Sequence, residues 1–217
     1  MTGYSTIPYT IAFANELVND PIGFVPHAGR LRLAYLPSRP GDWVSLHAAK
    51  VRSKGSVLRA RIRDLRDHPA TRGTERMRKL NTRRQWRCMD KLLCQVCGTP
   101  ATDSASGLIP WPLTKTVFEP TGLHSGRTNA PPTCWRCIPK ALEECPMLRE
   151  DFTVFTVTNA RSVGVLADLY RPGLLDTVMP TAHNVFVAWD DFQHHPYALA
   201  TAQVVELHGM QAVPNQS

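Results

Sequence analysis

Two Cys-x-x-Cys pairs, Cys94-Gln95-Val96-Cys97 and Cys134-Trp135-Arg136-Cys137, constrain this chain more than any other feature. Each two-residue spacer allows a tight turn that aims both sulfurs at one point, so the pairs together can close a tetrahedron of thiolates around a single zinc ion. Gly98 follows the second cysteine directly, where a left-handed backbone commonly completes such a knuckle. The six cysteines can in principle form three disulfides. The N-terminus, however, shows no basic stretch followed by an apolar run, so the expected compartment is the reducing cytoplasm, where paired cysteines serve as metal ligands. One structural zinc held by Cys94, Cys97, Cys134 and Cys137 is expected, with no open position for water. Cys88 and Cys145 flank the module and are either competing ligands or small buried hydrophobes.

A chain of 217 residues can bury a real core, so zinc need not be the fold's sole support. No window approaches the roughly 18 apolar residues that a membrane helix needs. The net charge of +7 is unevenly placed. Residues 50–91 hold fifteen Lys or Arg against four Asp or Glu, and the rest of the chain is net negative. A basic segment leading straight into the first cysteine pair is the footprint of an anionic partner, nucleic acid first and DNA ahead of RNA. The plainer alternative is a solvated surface that keeps the protein soluble.

The expected fold class is α+β, a zinc module flanked by short-stranded antiparallel regions with one long basic helix. Three regions follow from this: 1–70, 71–150 and 151–217. Residues 31–36 and 42–46 read as strands punctuated by Pro37, Pro40 and Gly41. Residues 49–52 and 56–63 suggest a hairpin whose outer face carries Arg59, Arg61 and Arg63; as a helix the same stretch would bury Leu58, Ile62 and Leu65. Either way its arginines are expected at the surface. Residues 74–93 contain neither Gly nor Pro and predict a helix capped by Thr74, with Arg76, Lys79, Arg83, Arg84 and Arg87 on its polar face. Such a helix either lies along phosphates or braces the zinc site. Trp86 is a packing residue or a stacking platform.

Within the module, 107–113 and 115–118 suggest a hairpin confined to a sheet edge by its prolines, and Pro139 suits the first turn of a helix over 140–148. Beyond it, 152–158 and 163–170 read as a hairpin joined by 159–162, followed by strands at 185–189 and 197–207, although the alanines of the last run would also tolerate a helix.

Around the cysteines the sequence resembles the treble-clef zinc fingers, and within them the cysteine-bearing HNH endonucleases. The shared features are Cys94-x-x-Cys97-Gly98, Asn129 five residues before the third cysteine, Cys134-x-x-Cys137, and Lys140 three residues beyond, all within residues 94–142. In that family an Asp-His pair precedes a proline at the end of the first hairpin strand, the His acting as general base and helping to hold a catalytic metal. Here Leu108 and Ile109 stand at the comparable place before Pro110, and Ile138 replaces the His or Asn that usually follows the fourth cysteine. None of these can take a proton or bind a metal. His124, in the long loop, is the histidine that a divergent nuclease would recruit. Pro139 is unusual inside a treble-clef helix and points instead to a zinc ribbon whose second knuckle precedes its helix. Asp190, Asp191, His194 and His195 contain ligand types but no recognised spacing.

The resulting expectation is a non-enzymatic, zinc-stabilised, nucleic-acid-binding protein. A zinc-scaffolded assembly factor that works through its C-terminal third is the first rival, and a divergent HNH-like nuclease the second.

Overall fold

The frame of the protein is built by three long strands near its C-terminus. Their sequences alternate small or β-branched residues with polar ones, which suits a sheet with one buried face. A computed structural model describes residues 6–45, 55–114, 125–145, 148 and 152–214. In chain order it contains β1 (Ile11–Phe13), β2 (Ile22–His27), β3 (Arg30–Tyr35), β4 (Trp43–Val44), β5 (Val57–Arg59) and β6 (Glu75–Leu80). Helix α1 (Thr82–Lys91), β7 (Ile109–Leu113), β8 (Ser125–Thr128) and α2 (Ile138–Glu144) follow. The chain ends with β9 (Thr153–Val157), β10 (Asn159–Pro172), β11 (Val178–Ala188), β12 (Ala198–His208) and β13 (Gln211–Ala212).

The largest sheet runs β11-β10-β12-β5-β4, with β8 also on β12. All its pairings are antiparallel except β12 with β5. On β12 the alternate residues Ala198, Ala200 and Ala202 are buried, and α1 rests against this strand. Gln85 pins the helix in place: its amide donates to the Gln203 carbonyl at 2.9 Å and accepts from the Gln203 N–H at 3.0 Å. A three-stranded sheet, β13-β9-β7, and two pairs, β1-β6 and β2-β3, complete the described strands. Ala28 and Gly29, both at positive φ, form the two-residue turn between β2 and β3, as the twist of a hairpin requires.

Several expectations hold. The class is mixed α and β, strand 31–36 is β3 shifted by one residue, and β7 with its two prolines lies at a sheet edge. The final run is strand β12 and not helix, and Pro139 sits in the first turn of α2.

Others are corrected. The single helix over 74–93 is instead strand β6 followed by the shorter α1, capped by Asn81 rather than Thr74. Backbone pairing of β6 with β1 extends this stretch, because tertiary hydrogen bonds outweigh the small free-energy differences of helix propensity. Residues 159–162 are not a turn but the start of β10, paired with the end of β12. In the proposed basic hairpin only Val57–Arg59 is strand, and its partners are β4 and β12; residues 49–52 lie outside the described residues, as do 115–118. Strands from 1–70, 71–150 and 151–217 share sheets: β6 pairs with β1, and β5, β8 and β12 lie in one sheet.

Candidate metal centre and basic surface

The first knuckle is shaped by its own backbone. The Gly98 N–H bonds to the Cys94 carbonyl at 2.8 Å, and Gly98 takes a φ of +75°, as its position after the cysteine requires. The Tyr9 ring packs so closely here that a Cβ on Gly98 would lie 2.8 Å from it. The N-terminal segment is tied to the same turn through Tyr9 N–H to Val96 carbonyl, 2.9 Å, and Thr10 N–H to Gln95 carbonyl, 3.2 Å. Gln95 links the two knuckles, donating from its backbone to the Pro132 carbonyl at 2.8 Å and from its side chain to the Thr133 hydroxyl at 3.0 Å. The second knuckle turns through Cys134 and Cys137, and α2 begins immediately after it at Ile138.

These turns bring the sulfurs of Cys94, Cys97, Cys134 and Cys137 within 4.8 Å of one another. Cys97 Sγ and Cys134 Sγ are 3.8 Å apart. A tetrahedron with metal–sulfur bonds of ~2.3 Å has edges of about 3.8 Å, so the four donors fit one tetrahedral, thiophilic metal ion. Backbone N–H groups of Val96, Cys97 and Cys134 point at Cys94 Sγ, the arrangement that steadies a coordinated thiolate. Burial pushes the Cys94 thiol up to about 11 in spite of these donors. Burial also raises Cys97, but hydrogen bonds from the Thr99 hydroxyl and backbone outweigh it and bring that thiol down to about 6. Cys137 is pushed up by burial and by the neighbouring sulfurs, a repulsion that a bound cation removes. Cys88, fully buried in α1, and Cys145, at the end of α2, stand outside the four-sulfur group. Among the described residues no second group of three or more ligands comes together, and His194 instead bonds Asp191 at 2.7 Å.

The residues at the nuclease-like positions are packing residues or lie beyond view. Ile109 and Ile138 are buried, and Ile109 belongs to the same core cluster as Cys94 and Trp111. Leu108 is half-buried. The Asn129 carbonyl accepts from Gln85, and Lys140 lies 3.9 Å from Glu144. His124 is outside the described residues. β7 pairs with β9 and β8 with β12, while 115–118, the expected partner of 107–113, lies outside the described residues.

The basic segment divides into two populations. Arg63, Arg76, Lys79, Arg83 and Arg87 are exposed, together with Arg78 and Lys91. Arg59 is half-buried, with its guanidinium 5.9 Å from the Trp86 ring. Trp86 is itself buried against Trp189 and is a packing residue. The expectation that all these arginines face solvent is corrected at Arg61 and Arg84. Arg84 is fully buried, bound by both oxygens of Glu16 (2.6 and 2.7 Å), by Asp64 and by the Ile11 carbonyl (2.7 Å). Arg61 is held by Asp20 (2.6 Å), Asp42 (2.8 Å) and the Pro37 carbonyl (2.9 Å), and lies 4.2 Å over the Tyr35 ring. Arg66 and Arg72 likewise spend their donors on backbone carbonyls. The acids Glu16, Asp20 and Asp42, isolated in the N-terminal segment, carry no motif by which sequence could have paired them with Arg61 and Arg84.

No family model, no curated protein and no solved structure matches this chain. No helix among the described residues is long and apolar enough to cross a membrane.

Proposed function

We propose that this chain is a non-enzymatic nucleic-acid-binding protein, DNA being the first candidate, in which a zinc ion on Cys94, Cys97, Cys134 and Cys137 braces a cationic surface. The observation that carries the reading is the run of exposed cations on β6 and α1: Arg76, Arg78, Lys79, Arg83, Arg87 and Lys91, with only Asn81 between the two elements. Among the described residues, Arg87 alone of these has a carboxylate within ion-pair range, Asp64 at 3.8 Å. Solvated cations on two consecutive elements suit phosphates, whose counterions they displace. A first knuckle, strand β7 and a second knuckle that precedes α2 at Ile138 favour the zinc-ribbon-like form of the expected module, which is the one we assign here.

Fluorescence anisotropy with duplex DNA and with single-stranded RNA, between 50 and 200 mM salt, tests this reading. Four to six phosphate contacts should weaken binding roughly 10²- to 10³-fold across that range. Absence of binding to either at 50 mM salt overturns the proposal. Divalent-metal-dependent cleavage abolished by His124→Ala would replace it with the nuclease reading.

The exposed tip of the β10–β11 hairpin favours a second reading, that of an assembly factor. Leu174 and Leu175 are 88 % and 97 % exposed there, and apolar side chains so presented commonly meet another protein. Under that reading Leu174→Ser with Leu175→Ser dissociates an oligomer seen by size-exclusion chromatography; a wild-type monomer removes its support.

A further inference from the structure

A groove of about 430 Å³ lies between the end of β5, the segment following it and the first turn of α1. This is within the ~300–1,000 Å³ range of small-ligand sites. Its lining is rich in charge of both signs, but the charges are not equivalent. Asp20 and Asp42 are committed to Arg61, and Asp64 to Arg84. Of the other four arginines on the walls, Arg39 lies 3.8 Å from Asp20, which leaves Arg59, Arg63 and Arg83. Among the described residues none of the three has an ion pair.

Arg59 is the least comfortable of them. It is half-buried, and the strongest charge acting on it is that of another cation, Arg83, ahead of the opposing fields of Asp42 and Asp90. A partly desolvated charge beside a like charge is unfavourable until an anion sits between them. Burial, followed by the field of Arg83, accordingly holds the Arg59 guanidinium below its ordinary value. Arg83 is the second residue of α1, so the positive end of the helix dipole lies beside it. Thr82 secures that end, its hydroxyl donating to the Ala60 carbonyl at 3.2 Å.

We propose that this groove binds a phosphate group of a nucleic-acid strand, with Arg59 and Arg83 as its two principal donors and Arg63 at its rim. The proposal rests on the nucleic-acid reading above and assigns it a specific subsite. Two guanidinium groups converging on one oxyanion give short, charge-assisted hydrogen bonds, which the solvated cations of β6 do not need to make. The same chemistry suits an internal phosphodiester or a strand-end phosphate.

The test compares the wild type with Arg59→Gln, Arg83→Gln, Arg59→Lys and the control Arg171→Gln, which lies at an exposed site on the distant hairpin. Probes are one single-stranded oligonucleotide with a 5′-phosphate, the same strand with a 5′-hydroxyl, and inorganic pyrophosphate as competitor. Each Gln variant should bind the oligonucleotide roughly tenfold more weakly and lower the salt slope by about one. Arg59→Lys should recover part of the loss, and Arg171→Gln should match the wild type. Equal losses on both strands assign the groove to an internal phosphodiester, and a loss confined to the phosphorylated strand assigns it to a strand end. Pyrophosphate should displace the strand from the wild type and lose potency against the Gln variants.

Gln variants that bind as tightly as the wild type, with unchanged melting temperature, overturn the groove while leaving the broader reading intact. If the wild type binds no oligonucleotide but binds pyrophosphate through Arg59 and Arg83, the nucleic-acid reading falls and the anion site stands. If it binds neither, both fall.

Discussion

Arg83 and Arg84 are neighbours in sequence with opposite fates. Arg83 is exposed at the mouth of a groove, whereas Arg84, turned about 100° around the helix, is sealed inside the protein with Glu16. The Glu16 carboxylate accepts from five groups: the Phe13 N–H (2.9 Å), the Leu65 N–H (2.8 Å), the Asn81 amide (3.0 Å) and two Arg84 nitrogens. Burial alone would raise its pKa, but these hydrogen bonds, that of Arg84 foremost, win and hold it below the ordinary 4.5. A carboxyl lowered on folding adds stability that is present above its unfolded pKa and is lost as pH falls through the folded one. Stability should therefore decline as the protein is acidified below about pH 4.5, through release of this pair. Glu16→Ala removes the buried counter-charge and leaves the fully buried Arg84 with the partly exposed Asp64 alone, which should cost about 3–5 kcal/mol in urea denaturation and abolish this part of the acid dependence. A loss under about 1 kcal/mol would show that water or Asp64 replaces Glu16.

Between residue and fold stands the junction of β6 with α1, and Asn81 makes it. Its side-chain oxygen accepts the Arg84 N–H at 3.2 Å as a helix cap, while its amide donates to Glu16 and to the Arg63 carbonyl. Asn81→Ala should cost at least the upper end of the ~0.5–2 kcal/mol typical of a lost cap. Asn81→Asp, which keeps the capping acceptor, should be no better by thermal denaturation, because it loses both donors and sets a second carboxylate beside Glu16; full rescue by Asp would reduce the residue to a simple cap. This junction also marks what sequence could and could not reveal. The cysteine pairs, Gly98, Pro139 and the prolines of β7 announce themselves, because metal geometry and backbone restriction act within a few residues. The change from strand to helix at Asn81 does not, since no Gly or Pro interrupts residues 74–93 and the strand exists only through its pairing with β1. The burial of Arg84 is equally hidden: its partner Glu16 is 68 positions away, and an isolated acid carries no sign of whom it will meet.

At the scale of the whole molecule, α1 joins the proposed anion groove and the four-cysteine site. Its first turn presents Arg83 to the groove, and its end, closed by Leu92 in a left-handed conformation, leads directly to Cys94. Cys94 is itself part of a core with Trp111, Phe155, Val157 and Leu207, so the metal would tie the knuckles to β7, β9 and the end of β12. Two other clusters, one around Val57, Trp86 and Val165 and one around Leu33, Tyr35 and Leu58, contain no ligand. Removing the metal with a chelator should therefore lower the melting temperature without unfolding the protein, in contrast to small zinc fingers whose whole fold depends on the ion. Amide hydrogen exchange should accelerate across residues 94–101, 109–113 and 153–157, while the β10–β11 hairpin keeps its protection. Cys94→Ser should reproduce this pattern. Because the loosened region anchors the C-terminal end of α1, the proposed nucleic-acid binding should weaken with it even though no proposed phosphate contact touches a cysteine. Uniform loss of protection on chelation would instead make the four-cysteine site the nucleus of the entire fold, and unchanged binding by the chelated protein would separate the cationic surface from its brace.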